Sequence, residues 1–88
     1  MTPTFPNHSR SYDRTRQAVR FWGYDTSIEY SFFVAVGALE RVEPRLNHDE
    51  EDFAGAFDTH RDLICRKAAG LHSRGRKDRY ELAGADFR

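Results

Sequence analysis

Hydrophobic positions in the first half of the chain recur at every second residue, and in the second half at helical spacing. Val19 and Phe21 alternate with Arg20 and Trp22, the period of two that sends one pair to each face of a strand. From Ile28 the alternation resumes, with Ile28, Tyr30, Phe32, Val34 and Val36 on one face and Glu29, Ser31, Phe33 and Ala35 on the other. Gly23, Tyr24, Asp25 and Thr26 read as the turn between these runs, which predicts a β-hairpin. Upstream, Pro3 and Pro6 punctuate a polar stretch, so residues 1–8 read as an extended surface segment with Phe5 as its large anchor. Residues 9–12 can pair as a short edge strand, followed by a polar turn over Asp13, Arg14, Thr15 and Arg16.

Gly37 ends the second strand, and Ala38, Leu39 and Val42 predict one short helical turn that Pro44 stops. Asn47 with Glu50, or Asp49 with Asp52, supplies an N-cap with an acid three residues on, opening one long helix over about 49–72. On that helix Phe53, Phe57, His60, Ile64, Ala68 and Leu71 form a single stripe, flanked by Ala56 and Leu63, with Gly55, Thr59, Asp62 and Arg66 opposite. A polar loop over 73–78 leads to a last strand in which Tyr80 and Leu82 face inward.

These elements predict one α+β domain over 1–88, two layers deep, with an antiparallel hairpin or meander plus a C-terminal strand packed on one long helix. The last strand can lie beside the second hairpin strand through a right-handed crossover, or antiparallel beside the first. A single helix shields one face of a sheet. By parity Trp22, Arg20 and Phe33 fall on the other face, which makes them the candidate interaction surface.

Composition narrows the function classes. At 88 residues there is room for one core, and 39% hydrophobic with 14% aromatic residues is enough to build it. Formal charge is zero, fourteen basic against fourteen acidic residues, which removes the global electrostatic argument for nucleic acid or a membrane surface. The longest apolar run, Phe32 to Gly37, is too short to span a bilayer, so the expected address is the cytoplasm. Cys65 stands alone, with no partner for a disulfide and no second thiol for zinc.

Phe5-Pro6-Asn7, Ser11-Tyr12-Asp13, Val19-Arg20-Phe21-Trp22-Gly23-Tyr24-Asp25, Glu29 with Phe32-Phe33-Val34, Ala38-Leu39, Phe57-Asp58 followed by Arg61 and Ile64, then Tyr80 and Asp86-Phe87 together resemble a small bacterial family, domain of unknown function 1488. The resemblance covers nearly the whole chain. It implies a compact α+β domain, usually a stand-alone protein, and carries over no activity, cofactor or catalytic residue. His72 departs from the pattern, standing where such sequences often carry an aromatic.

Candidate chemistry is sparse. Residues 40–58 hold seven acids and two bases, and residues 60–79 seven bases and two acids. The basic half offers an anion-binding or weak nucleic-acid-binding candidate in Arg66, Lys67, Arg74, Arg76, Lys77 and Arg79, with Tyr80 or His72 to stack on a base. The helix macrodipole explains the same asymmetry more simply, at about 0.3 to 1 kcal/mol for a well-placed charge. His60, central in the apolar stripe, lacks a nucleophile or carboxylate partner at a useful spacing and reads as a packed ring. His8, His48, His60 and His72 make a poor metal set, since the last two lie about 120° apart around a helix. Asp58 with Arg61, and Asp62 with Arg66, read as helix-surface ion pairs. Asp13 and Asp25 read as turn caps, and Cys65 as a small packing residue. The expected function is therefore a non-enzymatic protein-interaction or self-association module, such as a homodimer, with no cofactor, metal or catalytic residue. It would dock through the face bearing Trp22 and Phe33 or through a strand edge, with anion binding by the basic segment as the alternative.

Overall fold

The two alternating runs become β2 (Ala18–Asp25) and β3 (Ile28–Ala35), paired antiparallel from Ala18↔Ala35 to Asp25↔Ile28 in a computed structural model that describes residues 3–6, 8–74 and 79–87. The edge strand β1 (Arg10–Asp13) pairs antiparallel with β2, and β4 (Arg79–Leu82) pairs parallel with β3, giving the order β1-β2-β3-β4. The last strand therefore takes the crossover position beside the second hairpin strand. The crossover runs through α1 (Val36–Val42), α2 (Glu50–Thr59) and α3 (Arg61–Arg74), and a short 3-10 helix, Gly84–Phe87, closes the chain. The architecture is a two-layer α+β domain.

Two local readings change. The hairpin turn is the two-residue Thr26–Ser27, with Thr26 at φ 58°, and Gly23 lies inside β2. Glycine is required at 23 for a packing reason: an added Cβ would lie 2.6 Å from Phe5 Cε1 and 2.9 Å from Phe32 Cε2. Thr4 bridges to Tyr24, and the neighbouring Phe5 ring lies 5.9 Å from Phe21 and 5.3 Å from Phe32. The second difference is Val36, which opens α1 directly after β3 instead of extending the strand face; its N–H donates to the Gln17 carbonyl.

The single long helix is divided at His60, where φ −106° and ψ 20° leave the helical region. No glycine or proline marks the place. The division lets α2 lie against β1 and β2 while α3 lies against β4, following a sheet whose strands rotate relative to one another. Asp49 is the N-cap of α2, its Oδ1 accepting from the Asp52 N–H at 2.8 Å. The core between the layers is made by Val19, Phe21, Phe32 and Val34 from the central strands, Phe53, Phe57, Ile64 and Ala68 from the helices, and Tyr80 and Leu82 from β4. Among the described residues no helix is long and apolar enough to cross a membrane.

Candidate functional site

Strand parity fixes which side chains look away from the helices. Val19 and Phe21 belong to the helix-side core, so Ala18, Arg20, Trp22 and Tyr24 project to the opposite, open face. Register sets Arg20 beside Phe33, Trp22 beside Ser31, and Tyr24 beside Glu29; β4 adds Arg79 next to Ser31 and Glu81 next to Phe33. Trp22, Arg20 and Phe33 thus come together as the sequence places them.

Their exposure differs from the expectation that two bulky aromatics face water. Phe33 is only 5% exposed although it lies outside the helix-side core. Arginines cover it: the Arg16 guanidinium carbon sits 4.8 Å from the Phe33 ring centre, and that of Arg20 5.8 Å from Phe33 and 5.1 Å from the half-buried Trp22. A cation over an aromatic face shields it from water while keeping its own charge solvated on the far side. Arg20 is further held by Nη2 donating to Ser31 Oγ at 2.9 Å, and its buried Nε has no protein acceptor.

The surface around these groups is concave. Arg16, Arg20, Ser31, Phe33 and Arg79 line a hollow of about 490 Å³, and Arg16 and Phe33 also border a second one of about 300 Å³ walled by Ala18, Ala35, Glu81, Leu82 and Ala83. Arg16 binds Asp13 at 2.9 Å, and Arg79 stands 4.0 Å from Glu81. The Arg16 backbone N–H and then its guanidinium hold the Asp13 carboxyl below the ordinary carboxylate range.

The basic segment does not form one patch among the described residues. Arg66 is exposed and Lys67 half-buried on α3, which packs on the helix side, whereas Arg79 faces the open side. Arg76, Lys77 and the Arg74 side chain lie outside the described residues. Asp58 accepts from Arg10 Nε at 3.1 Å and Nη2 at 2.9 Å on β1, and Arg61 donates to the Phe5 carbonyl at 2.6 Å. Arg14 reaches Glu50, which pushes its pKa up. His60 is half-buried at the helix division, its Nε2 3.3 Å from Glu43 Oε2. Burial pushes the Cys65 thiol above its ordinary range, opposed by the charge of Arg61 and reinforced by Asp62. No group of three His, Cys, Asp or Glu among the described residues could hold a metal ion.

A polar chain that sequence reading missed lies in the helix-side layer. His72 on α3 places Nε2 2.8 Å from Asp25 Oδ2 at the end of β2, and Nδ1 2.9 Å from the Tyr80 hydroxyl on β4. A carboxylate only accepts, so Nε2 carries a hydrogen, and in the neutral ring Nδ1 accepts from the Tyr80 O–H. Tyr30 meets the imidazole edge-on at 4.6 Å. The order of groups is that of a proton relay, yet Asp25, His72 and Tyr80 are 6%, 4% and 3% exposed, so in this conformation no substrate reaches them. Their effect is to tie the hairpin tip, the helix end and the last strand together. His72 is thus a buried ring that bonds at both nitrogens.

A family model described as protein of unknown function (DUF1488) matches residues 4–83. The chain belongs to this family. A structural neighbour from the same family, a protein of unknown function from Shewanella loihica PV-4 known from a crystal structure, superposes with a TM-score of 0.81 over 92% of this chain and 91% of that chain, at 14% identity. At that identity the likeness is one of fold. No curated protein matches the chain. DUF1488 membership thus carries the α+β architecture, and function has to be argued from the open face itself.

Proposed function

We propose that this DUF1488 protein is a non-enzymatic interaction module that docks a protein segment on the open face of its sheet, with Trp22 as apolar anchor and Arg20 as the cation that orients it. The observation that carries this reading is a sheet face opposite all three described helices on which three arginines and the Phe33 ring line a hollow, with the Trp22 indole beside it in contact with Arg20. Half-buried tryptophan beside arginine is the composition of interface anchors. With two eight-residue central strands and two four-residue edge strands, the face projects to about 380 Å², short of the ~800 Å² that each partner buries in a standard stable complex. That size favours a transient contact with a short segment over a tight homodimer.

Photocrosslinking in the native cell tests the reading, with benzoylphenylalanine placed at Trp22 on the face or at exposed Arg66 on α3. A discrete protein adduct from position 22, absent from position 66 and lost when Arg20→Glu is added, supports it. No adduct from 22, or the same adduct from both, overturns it. Sedimentation equilibrium on the purified protein decides whether the partner is a second copy.

A further inference from the structure

Resting on that docking surface, we propose that the segment it takes is a chain terminus: a C-terminal carboxylate lodged among Arg16, Arg20 and Arg79, with the apolar side chain of the final residue in the adjoining slot.

Three features select this chemistry. The larger hollow is lined by three guanidiniums, the Phe33 ring and the Ser31 hydroxyl, with no carboxylate among the described residues of its wall. Arg20 holds its guanidinium carbon 5.1 Å from the Trp22 ring centre and 5.8 Å from that of Phe33, with one nitrogen already tied to Ser31, so little freedom is lost on binding an anion. Charge sets the valence. Asp13 offsets Arg16 and Glu81 stands against Arg79, so among these described residues three cations and two anions leave one positive charge, centred on Arg20. A monovalent carboxylate balances that charge, whereas a phosphate dianion overshoots it. The second hollow, of about 300 Å³, shares Arg16 and Phe33 with the first and is walled by Ala18, Ala35, Leu82 and Ala83, with Glu81, the residue that stands against Arg79, at its border. Small apolar walls beside an anion site fit a ligand whose carboxylate and hydrocarbon side chain leave the same carbon atom. A peptide C-terminus has that arrangement; an aspartate or glutamate side chain does not.

The test is a titration of the ¹⁵N-labelled protein with acetyl-Ala-Ala-Leu bearing a free carboxylate, with its C-terminal amide, with acetyl-Ala-Asp-Leu amide and with inorganic phosphate. The free acid is expected to shift the Arg20 Nε–H signal and the Ala18 and Ala35 amides, with the simple amide about tenfold weaker, the factor expected when one charge-assisted contact is removed. Arg20→Gln and the more exposed Arg79→Gln should each weaken the free acid, and Arg79→Gln keeps the test valid if the Arg20 variant folds poorly. Equal binding of the simple amide, displacement by equimolar phosphate, equal binding of the aspartyl amide, or indifference to Arg79→Gln would each overturn the proposal. If peptides fail while position 22 still crosslinks in an Arg20-dependent manner, this inference alone falls; failure of both removes the docking reading as well.

Discussion

Replacing Gly23 with alanine would set a methyl carbon against the edge of Phe5 and the rim of Phe32 at 2.6 and 2.9 Å, closer than carbon atoms approach without something moving. Phe32 is wholly buried between the layers and cannot yield, whereas half-buried Phe5 hangs on the N-terminal segment and can. Expelling Phe5 forfeits part of the about 1.5 to 3 kcal/mol that full burial of a phenyl ring contributes, plus its contacts with Phe21 and Phe32. Keeping it forces overpacking that typically costs about 1 to 3 kcal/mol. Against either outcome stands a gain of about 0.5 to 1 kcal/mol from removing a glycine from a strand. The net expectation for Gly23→Ala is a loss of about 1 to 2 kcal/mol, or roughly 4–16 °C in Tm for a domain of this size. Urea unfolding followed by circular dichroism measures it, with Gly37→Ala as control: nothing lies within 4 Å of that position, so the same change there should be neutral or stabilising. In a Phe5→Ala background the cost of Gly23→Ala should fall by at least about 0.5 kcal/mol. A Gly23→Ala protein as stable as the parent, or additive effects in the double variant, would refute the assignment of Gly23 to the seating of Phe5.

Four further outcomes follow from the same geometry. His72→Phe keeps the ring but strips Asp25 and Tyr80 of its two hydrogen bonds, and should cost about 2 to 4 kcal/mol in urea unfolding, with a loss under about 0.5 kcal/mol contradicting a structural role for the chain. Thr26→Gly removes a branched side chain from φ 58° and should raise stability by about 1 kcal/mol, read as a higher Tm. The Cys65 thiol, buried and with its pKa pushed up, should react with iodoacetamide at neutral pH far more slowly in the native than in the urea-unfolded protein; equal rates would contradict its burial. Because Arg16 lowers the Asp13 pKa, the carboxylate's contribution is present above the ordinary carboxylate range and lost as pH falls through the depressed value, so Asp13→Asn should trail the parent at pH 7 and converge with it in acid.

The hairpin was legible because alternation is local, and the apolar stripe gave the right buried residues, Phe53, Phe57, Ile64 and Ala68, even though the helix that carries them is two. The division at His60 was not legible, since the stripe passes through it and its cause is the course of the sheet underneath. Gly23 next to Asp25 has the composition of a turn; only the Phe5 ring, eighteen residues away in sequence, shows that glycine is needed there for space. On the open face, parity placed Trp22, Arg20 and Phe33 correctly, but the cover over Phe33 comes from Arg16 in a turn, where alternation carries no information. The Asp25–His72–Tyr80 chain joins residues 47 and 8 apart through tertiary packing, which no local pattern in the sequence records.

The parallel pairing of β4 has a consequence for when the chain becomes competent. β3 waits for β4 across 48 residues, from Ser31↔Arg79 to Val34↔Leu82, while the pairings of β1 with β2 and of β2 with β3 are complete within the first 35. A nascent chain can zip its three leading strands early, with the indole and two of the guanidiniums already displayed, but the third guanidinium arrives only when the helical crossover has been laid down and the final strand slots in. Under the docking reading proposed above, a copy whose β4 has not yet paired presents two of the three arginines, so binding would wait for the complete sheet.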